Sequence, residues 1–151
     1  MTRPAVRLAS PDDTPALVRL GQLAADELRT QRGGSAYLRE LGRRPEDLLV
    51  PPGSGIQMVG HLGGAVVGTV ALHETHHADR TVTGQVAALY VEPDARAVGV
   101  GERLVQGALE VARSRGWVAL DATALPGDRA TKNFFESAGL VARRLVVSID
   151  L

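Results

Sequence analysis

Cysteine is absent from this chain of 151 residues. Disulfides, thiolate metal sites and a cysteine acyl-enzyme are thereby excluded. Aromatic residues make up only 3% of the sequence, so a core must be assembled mostly from Val, Leu and Ala. Lysine is nearly missing as well: Lys132 stands alone among the arginines, a bias that a GC-rich genome accounts for. Neither sign of charge is in excess, since 17 basic residues meet 17 acidic ones. A general nucleic-acid or polyanion binder would show a basic surplus. No apolar run approaches the length of a membrane span, and the first residues lack the apolar stretch of a signal peptide. The expectation is a cytoplasmic protein, with neither membrane nor nucleic acid among its partners. What is present, 44% apolar residues over this length, fits a single domain over residues 1–151 with a sizeable core.

The pattern along the chain alternates strands and helices. Residues 6–8 read as an opening strand. Ser10, Pro11 and Asp13 then give a helix-start signal, and Leu17, Leu20, Leu23, Ala24 and Leu28 continue it as one apolar stripe. Gly33 and Gly34 end that helix, and Ser35 is expected to cap a short second one through Leu41. Residues 42–55, with Pro45, Pro51, Pro52, Gly53 and Gly55, read as a loop inside the domain. Two strands, 56–62 and 65–72, are joined at Gly63-Gly64, a hairpin signal. Gly68 inside the second strand suggests a bulge or a close backbone approach. A polar excursion over 73–80 precedes a strand ending at Val91. A helix follows and stops at Gly116, and a further strand begins at Trp117. A helix over 128–138 closes at Gly139, and 141–151 reads as a terminal strand. Strands interleaved with a few helices, some linked as hairpins, give a mixed α/β sheet.

The most informative stretch is Arg96-Ala97-Val98-Gly99-Val100-Gly101. The strand 86–91 leads into it through Pro93. An amphipathic helix leads out, with Leu104, Val105, Ala108, Leu109, Val111 and Ala112 at helical spacing. Strand, glycine turn and helix N-terminus together make an anion site. The helix dipole and unpaired N–H groups face the turn, and glycine lets a phosphate oxygen come close to the backbone. A ligand carrying phosphate is expected there.

Leu89-Tyr90-Val91-x-Pro93, then Arg96-x-x-Gly99-x-Gly101, then Phe135-x-x-x-Gly139-Leu140 resemble the GNAT-type N-acetyltransferases in order and spacing. The resemblance implies an α/β GNAT fold. Its central sheet would be mixed and mostly antiparallel, with two splayed parallel central strands and about four helices. It implies acetyl-CoA as co-substrate, an amine acceptor, which could be a small molecule or a protein amine, and no metal; it leaves a homodimer open. The backbone of Leu89, Tyr90 and Val91 would take the pantetheine arm like an added strand. Amides of Ala97, Val98, Gly99, Val100, Gly101 and Glu102 would wrap the pyrophosphate, with Arg96 fixing the loop. The implied reaction is direct attack of a neutral amine on the thioester, with the amide of Leu89 or Val91 polarising the carbonyl.

Several positions depart from the family pattern. Phe135 stands where a tyrosine commonly protonates the leaving thiolate. The thiolate would then leave unassisted, or be protonated by water or Tyr90. Asp128 stands where an asparagine is frequent, and Lys132, one helical turn on, is within reach of a nucleotide phosphate. Gln85 falls near the place of a common glutamate base and cannot titrate. His73, Glu74 and His76 at the end of the adjacent strand are the other candidates facing the acceptor, or else a solvated hairpin tip. His73-Glu74-x-x-His77 also fits the His-Glu-x-x-His zinc protease pattern, which needs both histidines one turn apart on a helix. The β-branched residues and glycine before it favour a strand instead. A third reading is a GNAT-like module that binds acyl-CoA without turning it over.

Overall fold

The structure, a computed structural model, describes residues 2–151. Five strands form one sheet in chain order, β1 (Ala5–Leu8), β2 (Ile56–Leu62), β3 (Ala65–His76), β4 (Val82–Val91) and β5 (Leu120–Asp121). Neighbours are antiparallel except for the parallel pair β4–β5. The helices are α1 (Thr14–Thr30), α2 (Gly34–Leu41), α3 (Val100–Ser114) and α4 (Arg129–Ser137). This is the mixed, mostly antiparallel α/β sheet with four helices that the resemblance implies, except that the parallel pair lies at one side of the sheet, with β5 as its edge strand.

The sheet buries a different core on each face. Val100, Leu104, Ala108 and Ala112 of α3 pack on Met58, Val70 and Leu72, with Trp117 closing the far end. On the other face Leu20, Ala24 and Ala25 of α1 join Leu48, Leu49 and Tyr90. Leu48 and Leu49 belong to the proline-rich loop, which therefore packs as part of the domain's interior. Gly21 makes this possible, because a Cβ there would stand 2.4 Å from the Pro45 carbonyl oxygen. The apolar stripe of α1 is rotated slightly from the expected one. Gly21 and Ala25 are buried, whereas Leu23 is exposed.

Other boundaries also move. The α2 N-cap is Gly33, left-handed at φ 78°, and Ser35 lies within the helix. Strand β3 runs on to His76, so the polar excursion shrinks to the turn that joins it to β4. Asp13 accepts the Ser10 N–H at 2.8 Å, and the short 3-10 turn Pro11–Asp13 runs directly into α1. The hairpin at Gly63-Gly64 forms as expected, with both glycines at positive φ.

Two strands expected near the C-terminus are corrected. Trp117 does not begin a strand: its N–H caps α3 by donating to the Ala112 carbonyl at 3.0 Å, and β5 is Leu120–Asp121 alone. Residues 141–151 form no strand, and Val141, Leu145, Val147 and Ile149 are exposed. Alternating apolar residues make a strand only where an edge accepts their backbone groups, and β5 offers two residues of edge. Arg143 reaches Asp121 at 2.7 Å.

Candidate active site

Strand β4 leaves its neighbour early. Gly84 pairs with Leu120 and Gln85 with Asp121, and beyond them β4 and β5 part. On its other edge β4 carries a bulge: Ala71 faces Ala88 while Leu72 faces Val86, so Ala87 is an extra residue. The gap opens into a cavity of about 470 Å³, bounded by Val86 to Val91 on one side and by Thr123, Ala124 and Leu125 on the other. Glu27 and Leu28 of α1 and Tyr37 of α2 close it on the opposite face from α3. Phe134 and Phe135 of α4, ring centres 5.7 Å apart, supply an apolar wall.

The N-terminus of α3 opens onto the same cavity through Gly101 and Glu102. Its first turn begins after Gly99, left-handed at φ 96°, and closes where the Arg103 N–H donates to the Gly99 carbonyl at 3.1 Å. The amides of Val100, Gly101 and Glu102 have no carbonyl one turn back to meet, so they remain donors at the positive end of the helix dipole. Val100 is buried at 1% exposure and anchors the helix in the core. Ala97 is also left-handed, at φ 68°, an unusual state for a residue with a Cβ. A bare strand edge thus continues into a helix N-terminus within one cleft.

A model of the GNAT acetyltransferase family matches residues 20–140. The chain belongs to the GNAT family. Solved structures similar to this GNAT chain cover nearly all of it. One is a ribosomal-protein-alanine N-acetyltransferase from Brucella melitensis biovar Abortus (20% identity, TM-score 0.68, 98% of this chain and 99% of that one). Another is an acetyltransferase from Trypanosoma brucei (18% identity, TM-score 0.71, 98% and 99%). A third is an aminoglycoside acetyltransferase from an uncultured soil sample (17% identity, TM-score 0.68, 98% of each). At these identities the likeness is one of fold.

The GNAT cleft gathers most of the residues singled out in sequence, and sets others apart. Leu89, Tyr90, Val91, Arg96, Ala97, Gly101, Glu102, Asp128 and Phe135 all line it. Val98, which is half exposed, Gly99 and Val100 lie outside the cavity lining. The Val91 carbonyl already accepts from Arg96 Nε at 2.8 Å. Asp128 caps α4, accepting the Thr131 N–H at 3.1 Å and its hydroxyl at 2.7 Å. Lys132 lies outside the cavity lining and pairs with Glu136 at 3.2 Å.

His73 and Glu74 also lie outside the cavity lining, opposite Gln85 and Gly84. Glu74 accepts the Trp117 indole N–H at 2.9 Å and Arg115 at 3.2 Å, and these bonds hold its carboxyl below the usual range. The His73–His77 stretch is strand and turn, so it lacks the helical turn that the zinc motif requires. His76 pairs with Glu74 at 3.2 Å and His77 with the Thr83 hydroxyl at 2.8 Å.

Sequence reasoning missed Glu27. Its carboxylate accepts the Tyr90 hydroxyl at 2.6 Å and Arg96 Nη2 at 2.9 and 2.8 Å. Burial, then the bond to Glu27, pushes the Tyr90 phenol well above its ordinary range. Its proton is held and committed to Glu27. A signal was available: Glu27 stands beside Ala24 and Leu28 on one face of α1, a charge at the margin of the helix's apolar stripe.

Proposed function

We propose that this chain transfers acetyl from acetyl-CoA to a primary amine by direct attack within a ternary complex. The observation that carries this reading is the continuity of the bare β4 edge with the N-terminus of α3 in one cavity. That shape suits a long arm ending in a diphosphate. The open β4 backbone would hold the pantetheine, and the free amides of the first α3 turn the pyrophosphate. Acetyl-CoA supplies an activated thioester carbonyl. An N–H of Leu89 or Val91 would donate to its oxygen where charge develops. Helices α1 and α2 with residues 42–55 would shape the acceptor site.

Amine nitrogen bonds to the acyl carbon, the carbon–sulfur bond breaks, and nitrogen gives up one proton. Phe135 has no proton to donate, and that of Tyr90 is engaged by Glu27. The thiolate therefore leaves on its own low basicity, and water in the open cleft carries the protons. Those same features sustain the second reading, a module that binds acyl-CoA without transfer.

Calorimetry with CoA, followed by release of free thiol across an amine panel, separates the readings. Binding without release favours the module. Gly101→Val is a cleaner probe than a change at Gly99, because Gly101 has ordinary helical geometry while any side chain at Gly99 is strained. The added atoms would meet Phe134, 3.2 Å from the position of a Cβ, and crowd the cleft. CoA should bind about 30-fold more weakly, or worse, with the melting temperature nearly kept. Unchanged affinity would remove the phosphate site from this loop.

A further inference from the structure

One carboxylate joins the acceptor-facing helix to the loop assigned to the phosphates. Glu27 projects from α1 and takes two bonds from Arg96 Nη2, at 2.9 and 2.8 Å, and a third from the Tyr90 hydroxyl at 2.6 Å. Arg96 carries the connection onward. Its Nε donates to the Val91 carbonyl at 2.8 Å, and its guanidinium carbon lies 5.5 Å from the centre of the Tyr90 ring. We propose that Glu27 is a positioning residue for the cofactor side, holding Arg96 in the orientation that ties the first residue of the loop to the end of β4. The inference rests on the acetyl-CoA reading of the cavity and extends it to a residue on the acceptor side.

The geometry favours positioning over other roles. The planar guanidinium is fixed through two different nitrogens, so its orientation and not only its charge is set. The loop needs such an anchor, since Ala97 is left-handed at φ 68° and Gly99 at φ 96°. Glycine holds that geometry without strain, whereas the strain at Ala97 persists only where the surroundings over-determine it. A role for Glu27 as base or as binder of an acceptor cation is disfavoured, because Arg96 neutralises it and Tyr90 occupies one oxygen. A general stability role is disfavoured too: the side chains of Arg96 and Glu27 are 48% and 42% exposed, and such pairs add little to folding. What remains is control of shape.

Glu27→Gln tests this. Glutamine keeps the size and can still accept from Tyr90, but it presents no charge to Arg96. Calorimetry with CoA alone should give a Kd raised about tenfold, the scale of one charge-assisted bond. KM for acetyl-CoA should rise in step, while kcat, KM for the amine and the melting temperature hold. Arg96→Ala removes the same bond together with the tie to Val91 and should give at least as large a loss, and Glu27→Gln should add nothing to it. A separate readout needs no ligand. In a Tyr37→Phe background Tyr90 is the sole phenol, and its ionisation is followed by phenolate absorbance. Losing the carboxylate should bring its midpoint down, with Arg96 still lowering it and Glu92 still raising it.

A lowered Tyr90 midpoint with unchanged CoA affinity would overturn the proposal, since the network would exist without governing the loop. A fall in kcat at constant CoA affinity would also overturn it and move Glu27 to the acceptor. Additive losses in the double variant would do the same. Failure of the wild-type chain to bind CoA sinks the parent reading and this one together, and the wild-type titration alone reveals it.

Discussion

Strand β4 has two edges that meet opposite fates. Along β3 it is paired from Val91 opposite Gly68 to Val82 opposite His76, and the residues between them fill both cores. Along β5 the pairing stops at Gln85. Alternate residues aim their peptide groups at opposite edges, so those turned to β3 are satisfied within the sheet while those turned the other way beyond Gln85 have no strand to meet. Buried backbone donors and acceptors are costly when unpaired, so an edge held open inside a cleft is a standing preference for an extended partner. The opening has a hinge-point. Gly84, one residue before the last paired position, lies against the Trp117 ring, and a Cβ there would stand 2.0 Å from Trp117 Cε3. Below this point the sheet is closed, and above it the strands separate.

Gly84→Leu attacks that point and should have the largest effect. Either the buried indole leaves its place or β4 moves away from β5, and overpacking of this severity costs about 3 kcal/mol or more. The check is the denaturant midpoint, with loss of CoA binding in step. Unchanged stability would mean that Trp117 does not fasten the closed end.

Asp13 belongs to the paired half and sharpens the contrast. Its buried carboxylate accepts two bonds from Arg7, at 2.7 and 2.8 Å, and the Ser10 N–H at 2.8 Å. Arg7 first, then Ser10, lowers its pKa from 3.8 to about 2. The folded state thus binds this proton less readily than the unfolded one. The stabilisation is present above about pH 4 and is lost as pH falls through about 2. Asp13→Asn should cost about 2 kcal/mol at neutral pH and flatten that acid limb. Affinity for CoA should not change, because Arg7, Ser10 and Asp13 line no part of the cavity beside the open edge. A loss of CoA binding would show that the two halves are coupled.

The two regions were also unequally legible. Hairpin β2–β3, helix α3 and the glycine turn were plain from period and turn chemistry, because those signals are local. The terminal strand failed for the reason that governs β4: alternation in 141–151 states a preference, while a partner edge decides the outcome. The site divided in the same way. Gly99, Gly101 and Arg96 stand within one short motif, whereas Glu27 meets Arg96 only after α1 has crossed the sheet, and no spacing in the sequence records that crossing. The distance of Glu74 from the cleft was hidden likewise, since its tie to Trp117 joins residues far apart in the chain.

The smallest effect is expected at Ala97, where the open half stores its strain. A left-handed alanine costs about 1–2 kcal/mol, and glycine there forfeits roughly 0.5–1 kcal/mol of unfolded-chain entropy. Ala97→Gly should therefore stabilise the fold by about 0.5–1 kcal/mol, or roughly 1–4 °C in Tm for a chain of this size. If strain is held there to present the amides, the gain in Tm should be accompanied by slightly weaker CoA binding, since a freer loop must be ordered by the ligand. A gain in both would mean that the alanine is merely tolerated. Loss of stability would mean that its methyl packs usefully, and that the strain at φ 68° is smaller than the angle suggests.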